Sequence, residues 1–200
     1  KKYEELKVGV LALQGAFREH RLMLERLGCS VVEVRLPRHL EGLDGMVIPG
    51  GESTAIGKLM VEWKLLEPIR EMAQGGFPLW GTCAGMIMMA RRITERERVM
   101  EQHRLGLLDA TVVRNAFGRQ RESFEADIEV KGFDAPFHAI FIRAPFISEY
   151  GPELEVLATV DSNPVFVRQG NLLGSSFHPE LTDDVRIHSY FLDMIRSGGM

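Results

Sequence analysis

The amino-acid sequence predicts an α/β fold with a mostly parallel central sheet and added antiparallel strands. Two patterns carry that expectation. In the first half, short apolar runs rich in Val, Ile and Leu alternate with segments of helical periodicity, as in parallel sheets covered by helices on both faces. In the second half, short β-type runs follow one another with only turn residues between them. With 200 residues, 45% of them hydrophobic, the chain has material for a full core, and we expect one domain over 1–200.

The elements follow in order. "KVGVLAL" (7–13) is a continuous apolar run suited to a strand buried on both faces. "AFREHRLMLERLG" (16–28) places Phe17, Leu22, Leu24 and Leu27 near helical spacing and stops at Gly28. "SVVEVRL" (30–36) and "GMVIPG" (45–50) read as strands. The segment 53–76 reads as one or two helices, with Ser53 as N-cap and a Gly pair at its end. "FPLW" (77–80) is the next strand and "AGMIMMARRI" (84–93) the next helix. β-type runs then occupy 107–118, 123–130, 138–145, 154–160, 163–170 and 172–178. "DDVRIHSYFLDMIR" (183–196) closes as a helix with Val185, Ile187, Tyr190, Phe191 and Ile195 as apolar positions.

Charge and cysteine content exclude several classes of function. A net charge of −4 with both signs interleaved provides no basic stripe for a phosphate backbone, so no nucleic-acid partner is expected. Two cysteines make no disulfide framework in a chain of this length, which fits a reducing compartment. Glu4, Glu5 and Arg18 interrupt the leader pattern of a signal peptide, and no run is long enough to span a membrane. A cytoplasmic protein without membrane attachment is expected.

Of the two cysteines, Cys83 lies in "GTCAG", between a strand and a helix. Strand, G-x-C-x-G, helix is the form of a nucleophile elbow, in which a strained residue projects from the strand end and flanking glycines allow backbones to approach closely. A helix starting after Cys83 directs free N–H groups and its positive end at the sulfur, favouring thiolate, and places the Ala84 N–H beside a developing oxyanion. The alternative is a buried structural cysteine in a tight connection. Cys29, in "RLGCSVVEV", has no such surroundings and reads as structural.

A thiol nucleophile needs an oriented base. Among six histidines, His178 stands out in "SSFHPEL", where extended backbone would point Glu180 to the same side. His20 and His188 lie in helical patterns among charges and read as exposed; His39 and His138 lie in or beside loops and offer no adjacent carboxylate partner. A third element is "IPGGESTAIG": Gly50 and Gly51 follow a strand and precede a helix start, so the Gly51 N–H can serve as a second oxyanion donor. It lacks the Gly-Lys-Ser/Thr of a P-loop. No Cys/His cluster has metal spacing, "HPE" is followed by no P-C-x-x-C, and no cofactor is expected.

"PGGES", "GTCAG" and "FHPE", in that order, resemble the class I (triad-type) glutamine amidotransferases. "LALQGAFREH", "RNAFGRQ" (114–120), "FIRAP" (141–145) and "SFHPEL" narrow the resemblance to glutaminase subunits of pyridoxal 5′-phosphate synthase, over almost the whole chain from Lys7. The resemblance implies a three-layer, flavodoxin-like fold and hydrolysis of L-glutamine to glutamate and ammonia, which passes to a TIM-barrel-type lyase subunit. It implies Cys83 as nucleophile through a glutamyl thioester, His178 as base and acid, and Glu180 as orienter. Gly51 and Ala84 would supply oxyanion N–H groups, and Gly51, Glu52, Ser53, Arg114, Ile142 and Arg143 would line the glutamine pocket. Arg114 and Arg143 suit the α-carboxylate and Glu52 the α-ammonium. Gln14, polar at a strand end, would sit by the oxyanion region facing the synthase. The amidotransferase subunit of imidazole glycerol phosphate synthase is the nearest alternative, disfavoured by "RNAFGRQ" and "ALQGAFREH"; a cysteine hydrolase of another class and a non-catalytic binding module stand further off.

Overall fold

The computed structural model describes residues 2–118 and 121–198; Arg119 and Gln120, the end of the "RNAFGRQ" stretch, lie outside the described residues. Its centre is a seven-stranded sheet. In chain order its strands are β1 (Lys7–Leu11), β2 (Ser30–Val34), β3 (Gly45–Ile48), β4 (Leu79–Thr82), β11 (Glu155–Val160), β12 (Asn163–Gln169) and β13 (Leu172–Ser175). Across the sheet they run β11-β12-β13-β4-β3-β1-β2. The five from β13 to β2 are parallel, and β11 and β12 extend the edge antiparallel.

Alternation of side chains creates two cores, one on each face. Val8, Val10, Val47, Trp80 and Leu173 face α1 (Phe17–Arg26) and α5 (Arg186–Arg196). Leu11, Met46, Ile48, Leu79 and Leu172 face α2 (Ser53–Glu62), α3 (Leu66–Gln74) and α4 (Ala84–Met89). A four-stranded sheet lies outside this second face: β5 (Ala90–Glu95), β6 (Arg98–Val99), β7 (Leu108–Val113) and β10 (Phe146–Tyr150). A ribbon of β8 (Ser123–Ile128) and β9 (Phe137–Ile142) covers part of the first. Among the described residues no helix is long and apolar enough to cross a membrane.

The structure differs from the sequence expectation at four places. The helix expected over 84–93 ends at Met89. Ala90 turns extended (ψ 147°), and Ala90 and Ile93 pair with Leu108 and Val112 of β7. A run of Met and Ile satisfies either a buried helix or a buried strand, so tertiary pairing decides it. The strands β6 and β10 were not anticipated. The N-cap of α2 is Glu52, not Ser53: its carboxylate accepts the N–H groups of Thr54 and Ala55. Finally, α1 is rotated from the expected apolar face. Leu22 is exposed, while His20 turns inward beside Met23 and Leu24.

Candidate functional site

The carboxyl ends of β1, β3, β4 and β13 converge, the usual place for a site in an open parallel sheet. Cys83 follows β4 at φ 52°, ψ −110°, a left-handed backbone that costs of order 1–3 kcal/mol in a non-glycine residue. Its N–H donates to the Ser175 carbonyl of β13 at 2.7 Å, and α4 begins at the next residue. The flanking glycines are needed by close backbone packing. A Cβ on Gly81 would stand 2.3 Å from the Gly85 carbonyl oxygen, and one on Gly85 would stand 1.9 Å from that of Ile48. Cys83 is 7% exposed, and its Sγ lies 3.8 Å from the Ile142 carbonyl oxygen.

His178 reaches this sulfur from the end of β13. A Cβ on Gly50 would meet His178 Cε1 at 2.8 Å and Cys83 Cβ at 3.4 Å, so both side chains close on the same glycine. Glu180 Oε2 accepts from His178 Nδ1 at 2.7 Å. The contact arises from a one-turn 3-10 helix at Pro179–Leu181 rather than from the extended backbone that the sequence implied. Burial works against the His178 cation, but hydrogen bonds with Cys83 and Glu180 outweigh it and raise the imidazole to about 10. Glu180 is also buried, which favours the neutral acid; the attraction of His20 and the bond from His178 nevertheless hold it below the usual carboxylate range.

A cavity of about 450 Å³ opens over the sulfur. Gly51, Glu52, Ser53, Arg114, Ile142 and Arg143 all line it, together with Ala84. Arg114 is held in place: its Nη1 donates to Gln102 Oε1 at 2.6 Å and Thr54 Oγ1 at 3.3 Å, and its Nε pairs with Glu95 at 3.3 Å. Gln102 in turn donates to Ser53 Oγ at 3.1 Å. Arg143 is exposed at φ 47°, with its N–H on the Glu122 carbonyl at 2.6 Å. Gln14 lies beneath the Gly51 turn, where its Oε1 accepts the Glu52 N–H at 2.6 Å. This is a long-range bond, from a strand end to the Gly-rich turn.

Three histidines differ from the sequence reading. His20 and His188 are fully buried, not exposed, and stand behind Glu180. His138 does have carboxylate partners: Asp127 at 2.7 Å and Glu125 at 2.6 Å, brought opposite it by the pairing of β8 with β9. These two, Asp127 first, raise its proton affinity at an exposed position away from the cavity. Gln102 and Thr54 were also missed, because nothing around them in sequence marks them as supports for Arg114. Cys29 is buried, and burial followed by the charge of Glu5 pushes its thiol up to about 11.

Residues 10–197 match the SNO glutamine amidotransferase family. The chain belongs to that family. Two curated relatives, each called pyridoxal 5′-phosphate synthase subunit PdxT, agree with the assignment. The one from Moorella thermoacetica is 59% identical over 191 residues, covering 95% of this chain and 100% of its own length. The one from Deinococcus radiodurans is 53% identical over 190 residues, covering 94% and 97%. A crystal structure of a glutamine amidotransferase, 54% identical, superposes with a TM-score of 0.89 over 94% of this chain and 98% of that one. That protein shares this arrangement of sheet and helices.

Proposed function

We propose that this chain is the glutaminase subunit of a pyridoxal 5′-phosphate synthase, acting in the cytoplasm as one domain over 1–200. It hydrolyses L-glutamine to L-glutamate and passes ammonia to a TIM-barrel-type lyase subunit. The names of the curated relatives support the assignment. The observation that carries it is the run Cys83–His178–Glu180 at the floor of a cavity bordered by two arginines.

Cys83 Sγ attacks the side-chain amide carbon, and a C–S bond forms as the carbonyl π pair moves onto oxygen. The N–H groups of Gly51 and Ala84 receive that oxyanion. His178 takes the thiol proton and, with its affinity raised to about 10, keeps it until the departing nitrogen accepts it. Collapse of the tetrahedral species breaks the C–N bond and leaves a glutamyl thioester. His178 then removes a proton from water, whose attack releases glutamate and returns the proton to sulfur. Glu180 holds the imidazole and offsets its positive charge.

At the other end of the substrate, Arg114 and Arg143 pair with the α-carboxylate. Glu52 faces the α-ammonium, and Ser53 and Ile142 complete the wall. Gln14, through its bond to Glu52, transmits docking of the synthase subunit to the oxyanion turn. Release of glutamate by the chain alone and with its synthase subunit tests both points. We expect weak activity alone and a marked rise in the complex, with a glutamine-analogue electrophile attached to Cys83. Equal rates would contradict the coupling, and no release in the complex would overturn the assignment.

A further inference from the structure

On the side of Glu180 away from Cys83 lies a second polar group closed off from solvent. His20 of α1 and His188 of α5 are fully buried, with His20 Nδ1 2.9 Å from His188 Nε2. His20 Nε2 is 3.4 Å from Glu180 Oε1 and 3.4 Å from Thr82 Oγ1. Trp80 packs edge-on against both rings, at 5.4 and 4.8 Å between centroids. The steps proposed above use neither imidazole. Burying two of them is costly unless their polar atoms are paired.

Counting donors and acceptors decides where the protons sit. A neutral imidazole has one N–H and one lone pair. Suppose His20 carries its proton on Nδ1 and donates to His188. Its Nε2 lone pair can then accept from the Thr82 hydroxyl but also faces a carboxylate oxygen, and His188 must carry its own proton on Nδ1, an atom with no hydrogen-bond partner among the described residues. The opposite arrangement removes both faults. His188 Nε2–H donates to His20 Nδ1, His20 Nε2–H lies 3.4 Å from both Thr82 Oγ1 and Glu180 Oε1, and only a bare lone pair is left over at His188 Nδ1. Glu180 Oε1 has no hydrogen-bond partner among the described residues, and His20 Nε2, at 3.4 Å, is the side-chain nitrogen paired with it. The contact is long in the resting site, as catalytic hydrogen bonds often are before charge develops.

We infer that His20, oriented by His188, is a positioning residue for the reaction: its Nε2–H holds the second oxygen of Glu180, fixing the carboxylate in one orientation and in its ionised form for His178. The inference rests on the reading of Cys83, His178 and Glu180 as the reacting set. The titratable groups acting on His20 are Glu180, His188 and His178, while Thr82 and Trp80 of β4 are uncharged. Burial above all pushes His20 and His188 down to about 3, so each is a neutral donor that leaves the charge on His178.

Two measurements test it. In the unsubstituted chain with ¹⁵N-labelled histidine, ring-nitrogen NMR needs neither substrate nor a variant. Between about pH 5 and about pH 8, where an ordinary imidazole titrates, His20 and His188 should both be neutral with the proton on Nε2. A proton on His20 Nδ1, or an imidazolium at either position, overturns the inference. In the complex with the synthase subunit, His20→Leu should raise the acidic limb of kcat/KM for glutamine by about one pH unit, the size of one lost bond to a buried charge. His20→Gln, whose amide N–H reaches the same oxygen, should restore it. An acidic limb unmoved in His20→Leu overturns the role, whatever the loss in rate; if that variant does not fold, the NMR result decides alone. Absence of glutamine hydrolysis by the unsubstituted complex overturns the glutaminase assignment and the role of His20 with it. That failure is recognisable because the tautomers are read separately.

Discussion

His178 and His20 address the two oxygens of one carboxylate from opposite sides, and both are shielded from water. Their proton affinities nevertheless diverge. His178 is raised to about 10 while His20, with His188 behind it, is lowered to about 3. Burial acts in the same direction on all three. His178 escapes it because Cys83 and Glu180 both bond to it, whereas His20 has one distant carboxylate contact and a second imidazole. The cation is thereby confined to the cavity side of Glu180, where a developing negative charge needs it, and the far side stays neutral and rigid. A buried histidine takes its charge state from its partners, not from depth.

Removing the sulfur breaks the contrast most severely. Cys83→Ala should lower kcat for glutamate release by about 10⁴-fold or more with the fold retained. It should also bring His178 down toward His20 in an NMR titration; an unchanged His178 would show that sulfur does not set its charge. Glu180→Gln comes next, with an expected loss of about 10³- to 10⁴-fold, since the imidazolium loses its counter-charge. There the check is kcat together with the His178 titration, which should fall well below about 10.

Changes across the cavity should leave the histidine contrast intact and act on substrate affinity. Arg114→Leu or Arg143→Leu should raise KM about ten- to a hundredfold with a smaller change in kcat. Gln102→Leu, which frees Arg114 without removing it, should raise KM about two- to tenfold. A loss confined to kcat would place these groups at the reacting centre instead.

A separate readout is stability against pH, where the two sides of Glu180 predict opposite slopes. His178 is raised from 6.5 to about 10, so its contribution is complete below 6.5 and is lost as pH rises through about 10. His20 and His188 are lowered from 6.5 to about 3, so their contribution is present above 6.5 and is lost as pH falls toward 3. Urea midpoints should therefore fall on both limbs, and His178→Asn should flatten the alkaline limb alone. An acidic limb flattened equally would show that the two sides are not independent.

What the sequence determined by itself is local. The strand–helix alternation, the glycines about Cys83 and the His178–Glu180 pair depend on near neighbours in the chain. Backbone preference, side-chain period and one turn of helix reach that far, so short motifs expressed them; even there, the turn at Pro179 replaced the extended geometry. The tertiary structure decided everything requiring distant segments to meet. Parallel pairing of β13 with β4 brings His178 to Cys83. Packing of α1 and α5 on the sheet turns His20 and His188 inward, although charged neighbours in sequence imply exposure. Pairing of β5 with β7 ends α4 at Met89, and the loop after β6 delivers Gln102 to Arg114. The physical reason is common to all of these: the inward face of a helix and the partner of a strand minimise free energy over the whole core, and neither is encoded in the residues adjacent to it.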